Sequence, residues 1–415
     1  MSTSAVSSIS IAPGVPPRVP LRDDATVIGL VGLAHASSHF AHLLLPPLFP
    51  VFATEFGLSF SQLGFLMTVF FVISGSGQAA AGFLVDKVGA RPVLFASFVC
   101  FIGASLAGYF AQGYWGLMLV AVLAGLGNAP FHPVDFSILN QRVSGARLGH
   151  AYSAHGLSGN LGWALTPVFL LFFTGWQGWR SGYLAAALMY AGILALLVLN
   201  RAHLRTDVVR RAADAPQGSG VAFLRMPVVW WCFAFFFLST MTLAVVQNFA
   251  SPIMQAMHRV SFEAATTMIT AYMLCGALGM FVGGFVAARM PRHSDRVVAW
   301  AMGAGAVLVV LAATGRLGGF GSMALLAATG FAVGVGGPSR DMMIKKATPK
   351  GATGRVYGTV YSGLDMGFAI APLIYGVFMD RGLYATTLGL AAVFLLLSVG
   401  AALGVGKRTE QGATP

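Results

Sequence analysis

The sequence predicts an all-α polytopic membrane protein whose twelve transmembrane helices form two pseudo-symmetric six-helix bundles. Three observations carry that prediction. Of the 415 residues, 57% are hydrophobic and 9% charged, with a mean hydropathy of +0.77; a soluble domain carries about 25% charged residues, so the apolar excess needs a solvent other than water. The excess gathers into runs of the length an α-helix needs to cross a bilayer, roughly 20 residues. The pattern of glycine, proline and charge then returns at a shift of about 208 residues, which divides the chain into halves.

In chain order the runs fall near 26–53, 61–86, 92–111, 115–141, 147–173, 181–200, 228–257, 263–289, 297–314, 319–346, 352–379 and 383–405. Each is expected to be helical, because hydrocarbon offers no water to backbone N–H and C=O groups. The first contains Pro46, Pro47 and Pro50, so its outer end is expected to bend or unwind. Between the second and third lies Gly82-Phe-Leu-Val-Asp86-Lys87-Val-Gly89-Ala-Arg91. There Gly82 permits close approach of a neighbouring helix, Gly89 a tight reversal, and Asp86 sits among bases where hydrocarbon meets headgroup. The fourth carries Gly125-Leu-Gly127-Asn-Ala-Pro130, followed by His132-Pro133, a candidate helix break. The fifth is glycine-rich, Gly156-x2-Gly159-x2-Gly162, and ends at Pro167. After the sixth, the polar stretch 201–225 with its arginine cluster and Pro216-Gln-Gly-Ser-Gly220 reads as a linker.

The second half echoes the first. Gly334-Val-Gly336-Gly-Pro338 in the tenth run matches the fourth, and Gly351-Ala-Thr-Gly354-Arg355, leading to Pro372, matches Gly145-Ala-Arg147 leading to Pro167. Gly284-Phe-Val-Ala-Ala288-Arg289 is a worn copy of the Gly82 loop that lacks the acid. The units expected are a tail over 1–25, bundles over 26–200 and 228–405, a linker over 201–227 and a tail over 406–415. The first twenty residues are rich in Ser and Pro and lack an apolar core with a cleavage site, so no secretory leader is expected.

The net charge of +12 raises the question of nucleic acid. Its distribution excludes that reading: 20 of the 25 Lys and Arg fall in alternate loops plus the tails, and four in the opposite loops. This asymmetry is the positive-inside rule and predicts both termini in the cytoplasm. Cys100, Cys232 and Cys275 lie in apolar runs without a CxxC and read as small buried hydrophobes.

The Gly82–Arg91 spacing, G-x3-D-[RK]-x-G-x-[RK], resembles the signature loop of the major facilitator superfamily, and the resemblance extends from residue 26 to 405. It implies two parallel six-helix halves with the substrate site near the midplane between them, and a cavity lined by the first, fourth, seventh and tenth helices. It also implies that the loop locks the cytoplasmic side; Gly82, Asp86, Lys87, Gly89 and Arg91 are thus expected to gate, with Arg142 and Arg147 in the same charge layer. Within the superfamily, Phe131-His132-Pro133 after Gly125-x-Gly127 looks like the fosmidomycin-resistance type of exporter. The fifth helix resembles the antiporter motif of proton-driven drug exporters, with Thr166-Pro167 where those have Gly-Pro. Many such exporters carry an arginine four residues before the Gly-x-Gly. Here that residue is Ala121, so His132 or Asp135 would have to take over its coupling role.

Ionisable groups inside a membrane are functional candidates by default. His35, His39 and His42 follow i, i+4, i+7 spacing on one stripe of the first helix, and Asn128, His132 and Asp135 repeat it on the fourth. Tyr152 and His155 mark the fifth, Arg340 the tenth, and Tyr361 and Asp365 the eleventh. Blander readings stand beside these: a hydrogen-bonded packing stripe for the histidines, backbone groups freed by a break for His132, a headgroup anchor for Arg340, and a structural i, i+4 pair for Asp341 and Lys345. Asp365 has no base nearby in sequence, and a charge there costs on the order of 3 kcal/mol on insertion scales.

Together these features point to a secondary transporter of the inner membrane that works by alternating access and is coupled to protons. The expected cargo is a small organic, anionic or drug-like solute, met by Arg340 and the histidines, with Tyr152, Trp163, Phe131 and Tyr361 supplying apolar contact. Export by antiport follows from the resemblance; import by proton symport is the alternative. Divalent transition-metal transport is a further rival, since His35, His39, His42, His155 and Asp135 are suitable ligands, though Arg340 would repel such a cargo. No resident cofactor or metal and no enzymatic activity are expected, for there is neither a Walker A lysine nor a Gly-x-Ser-x-Gly. The partners expected are the solute, protons and the lipid bilayer, with a monomeric protein.

Overall fold

The structure, a computed structural model, describes residues 20–206, 222–347 and 353–411. The tail before residue 20 and most of the 201–227 linker lie outside the described residues, as do Gly351 and the end of the C-terminal tail. Fourteen α-helices make up the described chain: α1 Leu21–His42, α2 Phe49–Phe56, α3 Phe60–Val88, α4 Ala90–Tyr109, α5 Tyr114–Asn128, α6 Phe131–Arg142, α7 Leu148–Gln177, α8 Trp179–Leu199, α9 Pro227–His258, α10 Phe262–Arg289, α11 Ser294–Ala313, α12 Gly318–Ala347, α13 Thr353–Asp380 and α14 Tyr384–Gln411. They form twelve spans long and apolar enough to cross a membrane, because α1 with α2, and α5 with α6, each make one interrupted span.

Both interruptions have a local cause. Proline in the interior of a continuing helix removes a donor and crowds the preceding turn. Around Pro46 and Pro47 the chain therefore tightens into a 3-10 turn, Pro46–Leu48, before α2 begins. Freed carbonyls need donors in a dry setting, and Leu44 O receives the hydroxyl of fully buried Tyr183 at 2.7 Å. In the fourth span the break falls at Ala129 and Pro130, ahead of His132-Pro133. The first helix starts at Leu21, earlier than its hydropathy suggests. Asp24 in its first turn is fully buried, and it accepts from Ser144 N at 3.1 Å, Ser144 Oγ at 2.5 Å and Arg147 Nη1 at 2.7 Å.

The packing repeats between the halves. In the first, α1 lies on α7, α3 on α5, and α4 on α5 and α8; in the second, α9 lies on α13, α10 on α12, and α11 on α12 and α14. The halves meet along two seams, α3 with α13 and α7 with α10, which are themselves equivalent under the repeat. Helices in lipid associate through close van der Waals contact at small residues. Gly162 of α7 is one such point, since a methyl group there would collide with the carbonyl oxygen of Ala36 in α1. Gly89, at φ +84°, turns the chain between α3 and α4, where Ala90 N donates to Thr206 Oγ1 at 2.9 Å. Cys232 is buried and Cys100 and Cys275 half-buried, all three as free thiols.

Candidate functional site

The histidine stripe of α1 packs into the interior of the first half, against α5, α6 and α7. His42 belongs to a relay that crosses four spans. Trp163 Nε1 donates to His42 Nδ1 at 3.2 Å, and His42 Nε2 donates to Asn128 Oδ1 at 3.0 Å. That oxygen also accepts from Ser38 Oγ at 2.7 Å, while Asn128 Nδ2 donates to Ser74 Oγ at 2.7 Å. The partners fix which ring nitrogen of His42 carries the hydrogen. Every polar atom in this relay has a use.

One turn away the histidines form a different arrangement. Asp135 of α6 is fully buried, and its Oδ2 accepts from His155 Nε2 of α7 at 3.0 Å. His35 Nδ1 lies 3.1 Å from the same oxygen. The rings of His35 and His155 stack with centroids 3.6 Å apart. His39 bridges the two arrangements, its ring 4.5 Å from His35, 5.0 Å from His42 and 4.2 Å from Trp163. Gly159 makes room for it: a methyl group there would stand 2.7 Å from the His39 ring. His132 is exposed, 5.7 Å from His35 and 6.2 Å from His155 between ring centroids. Tyr152, also exposed, donates to Asn140 Oδ1 at 2.6 Å and meets Phe136 edge-on.

In the second half Arg340 is half-buried on α12. Its Nε donates to Asp341 Oδ1 at 2.9 Å, and its guanidinium lies 5.1 Å from the Phe236 ring, which in turn contacts Tyr361 at 4.8 Å. The sequence pairs Asp341 with Lys345 at i, i+4; the structure instead gives the carboxylate to the adjacent guanidinium, and Lys345 makes no ion pair among the described residues. Asp365 sits half-buried on the α3–α13 seam, so close to Gly75 that a methyl group on that glycine would lie 3.1 Å from the Asp365 Cβ. No hydrogen bond or ion pair engages Asp365 among the described residues. Among the described residues Asp365 forms no ion pair with Arg340, whose partner is Asp341.

At the loop, Asp86, Lys87 and Arg142 are exposed, and no ion pair holds Asp86 among the described residues. Arg91 Nη1 donates to Arg201 O at 3.4 Å, and Arg147 is taken by Asp24. A methyl group on Gly82 would meet nothing, so this glycine marks no close helix contact in this conformation. The halves are joined at the opposite end, where Asp380 caps α3, Phe49 and Phe60 lie against Phe249, and, deeper in, Thr68 Oγ1 donates to Ala369 O at 2.7 Å.

Two buried amides lie outside the ionisable groups that the sequence singles out. Gln247 and Asn248 of α9 are each 2% exposed, and their side-chain nitrogens have no hydrogen-bond partner among the described residues. A buried amide of this kind marks a site where a partner is owed. The signal lay in the sequence, as two adjacent amides within a 32-residue apolar helix.

Comparison with known proteins agrees with this architecture. The family model described as Major Facilitator Superfamily matches residues 31–312 and 237–414. The chain is 25% identical over 276 residues to the uncharacterized MFS-type transporter YfnC of Bacillus subtilis, covering 64% of this chain and 66% of that one. It is 29% identical over 174 residues to the fosmidomycin resistance protein of Escherichia coli, covering 42% of each. Against a "Probable nitrate/nitrite transporter NarK2" of Mycobacterium tuberculosis it is 25% identical over 371 residues, 87% of this chain and 90% of that one. The chain thus spans less than two thirds of the length of the first two relatives. Among solved structures, a bacterial homolog of the human lysosomal transporter Spinster, inward-facing and unoccupied, superposes with a TM-score of 0.75 at 17% identity. That superposition covers 96% of this chain and 99% of the other, and shows a shared fold.

Proposed function

This chain belongs to the Major Facilitator Superfamily, and on that premise we propose that it is a secondary active transporter exporting a small organic anion across the inner membrane, in exchange for protons, by alternating access. The observation that carries the reading is Asp365. A carboxylate on a seam between the halves, inside the membrane and without a partner among the described residues, must be neutralised by a proton or by cargo when the seam closes. Because the seam moves in alternating access, protonation and conformation are linked at that residue. Arg340, stacked on Phe236 beside Tyr361, offers a cation with apolar walls, which suits an organic anion. The first-half histidines and Asp135 are further ionisable groups inside the membrane, where such groups are functional candidates. Relatives described by nitrate, nitrite and fosmidomycin support small, anionic or drug-like cargo.

In this reading the Gly82–Arg91 loop faces the cytoplasm with both termini, as the distribution of Lys and Arg supports. The end sealed by Asp380 is then periplasmic, and the conformation described is inward-facing with the cytoplasmic lock released. The protein works as a monomer, each chain holding both halves of the site.

Counterflow in proteoliposomes across pH steps tests the proposal, using a panel of organic anions and their neutral and cationic analogues. The expected result is exchange of an anion, with an imposed proton gradient driving it uphill. In Asp365→Asn, gradient-driven accumulation should be lost while gradient-independent exchange persists. Flux that ignores the gradient, or a preference for cations, would overturn the reading. Accumulation in the direction of the proton gradient would convert antiport to symport.

A further inference from the structure

We infer that His35, Asp135 and His155 form a binding site for one divalent transition-metal ion, of the borderline class that includes Zn(II), Co(II) and Ni(II). The site lies inside the first half, apart from Arg340 and Asp365, and the inference stands whatever the cargo.

The geometry carries it. One ligand atom each from His35, Asp135 and His155 can be chosen so that all three lie within 4.8 Å of one another. The two nitrogens stand 3.1 Å and 3.0 Å from the same Oδ2. Bonds of about 2.0–2.1 Å in a tetrahedral shell put neighbouring ligand atoms roughly 3.3 Å apart, so three corners of such a shell are in place with little movement. Two imidazoles and a carboxylate are also the donor set that suits these ions.

Hydrogen bonding leaves the arrangement incomplete. His155 Nε2 bonds properly to Oδ2, whereas His35 Nδ1, although 3.1 Å away, is out of line for a hydrogen bond. Asp135 Oδ1 and His39 Nδ1 are likewise buried without a hydrogen-bond partner among the described residues. Asp135 is 0% exposed and His35 3%. Orphaned polar atoms at such depth are rare and call for an explanation. A bound cation supplies one, since it takes lone pairs from His35 and Asp135 together and needs no aligned hydrogen. The His42–Asn128 relay one turn away, in which each polar atom is matched, shows that histidines on the same stripe of α1 can be fully satisfied by hydrogen bonds alone.

Access is also provided. His132 is exposed and its ring lies 5.7 Å from His35 and 6.2 Å from His155. It can pass an ion inward or supply a further ligand after a modest shift.

The test is Co(II) titration of tag-free protein in detergent, followed by visible absorption. One equivalent per chain should bind with the intense bands of a low-symmetry, four- or five-coordinate site. Zn(II) should displace it and a large excess of Mg(II) should not. Asp135→Asn, near-isosteric, and His155→Gln should each weaken binding at least tenfold, while His293→Gln, at an exposed surface position, should leave it unchanged. X-ray absorption of the Zn(II)-loaded wild type, which needs no variant to fold, should show a nitrogen and oxygen shell near 2.0 Å with histidine outer-shell scattering. Absence of stoichiometric Co(II) binding, or binding that Asp135→Asn leaves intact in folded protein, would overturn the inference. Organic-anion counterflow is measured separately, so failure here leaves that proposal standing and its failure leaves this one.

Discussion

The carboxylate of Asp380, the last residue of α13, receives the backbone N–H of Phe60, the first residue of α3, at 2.6 Å, and that of Ser61 at 3.0 Å. An acid from one half thus caps the N-terminus of a helix in the other, where unsatisfied donors and the helix dipole favour negative charge. Ser59 and Gln62 cap the same terminus from within its own half. The seam between α3 and α13 is therefore clamped at the end away from the Gly82–Arg91 loop.

That clamp predicts a shift in conformation. Asp380→Ala removes both charge-assisted bonds; because they are solvent-exposed, we expect about 1 kcal/mol rather than the 1.5–3 kcal/mol of buried examples. The ratio of sealed to open states should fall roughly fivefold. A cysteine at Phe249, buried beneath the clamp, should label correspondingly faster in the variant. Equal labelling rates would mean the clamp does not hold the seam.

The spans were legible because hydropathy is a local property: twelve apolar runs became twelve spans, and Pro46 and Pro47 mark the break they suggested. The Pro130 break was half-seen, the sequence pointing one turn further on to Pro133. Periodicity correctly put His35, His39 and His42 on one stripe. It could not say that His35 would join Asp135 and His155 while His42 joined Asn128, since those pairings depend on three helices meeting. Asp24 and Asp380 went unremarked because an acid near a loop is ordinary until a partner is known. The i, i+4 rule for Asp341 and Lys345 yielded to the adjacent Arg340, whose Nε meets the carboxylate at 2.9 Å.

The glycines of α7 should divide sharply under substitution. Gly162→Ala drives a methyl group against the backbone of α1 at Ala36, which cannot yield without parting the helices. Gly156→Ala meets nothing within 4 Å and gains helix propensity. Overpacking costs about 1–3 kcal/mol. Thermal unfolding in detergent should therefore fall by several degrees for Gly162→Ala and remain unchanged or rise for Gly156→Ala. Equal effects would show that α1 and α7 are not packed as described.

Asp86→Asn should separate gating from folding. The side chain is exposed and outside any ion pair among the described residues, so stability should change by no more than about 0.5 kcal/mol. In the reading proposed above, the charge engages only when the cytoplasmic side closes. Counterflow should slow by an order of magnitude while cargo affinity stays constant. A wild-type rate would remove the loop from the gating mechanism.

Arg340 separates the anionic cargo from its rivals. The guanidinium is half-buried, bonded to Asp341 through Nε and stacked on Phe236, and among the described residues no hydrogen bond engages its terminal nitrogens, which can meet a carboxylate or phosphonate. Hydrogen bonds to a charged group contribute about 1.5–3 kcal/mol, so Arg340→Ala should weaken anion binding roughly 10- to 150-fold. Affinity for a neutral analogue of the same shape should barely move, because Phe236 and Tyr361 remain. Arg340→Lys should recover only part of the loss, since an ammonium is a point charge and cannot reproduce the planar fork. Asp341→Asn serves as the control: it frees the guanidinium and should hold or improve anion affinity. Isothermal titration of the four proteins against the charged and neutral ligands reads all of this. If Arg340→Ala instead improves uptake of a divalent metal that His39→Ala and His132→Ala abolish, the cargo is the metal and the organic-anion reading fails.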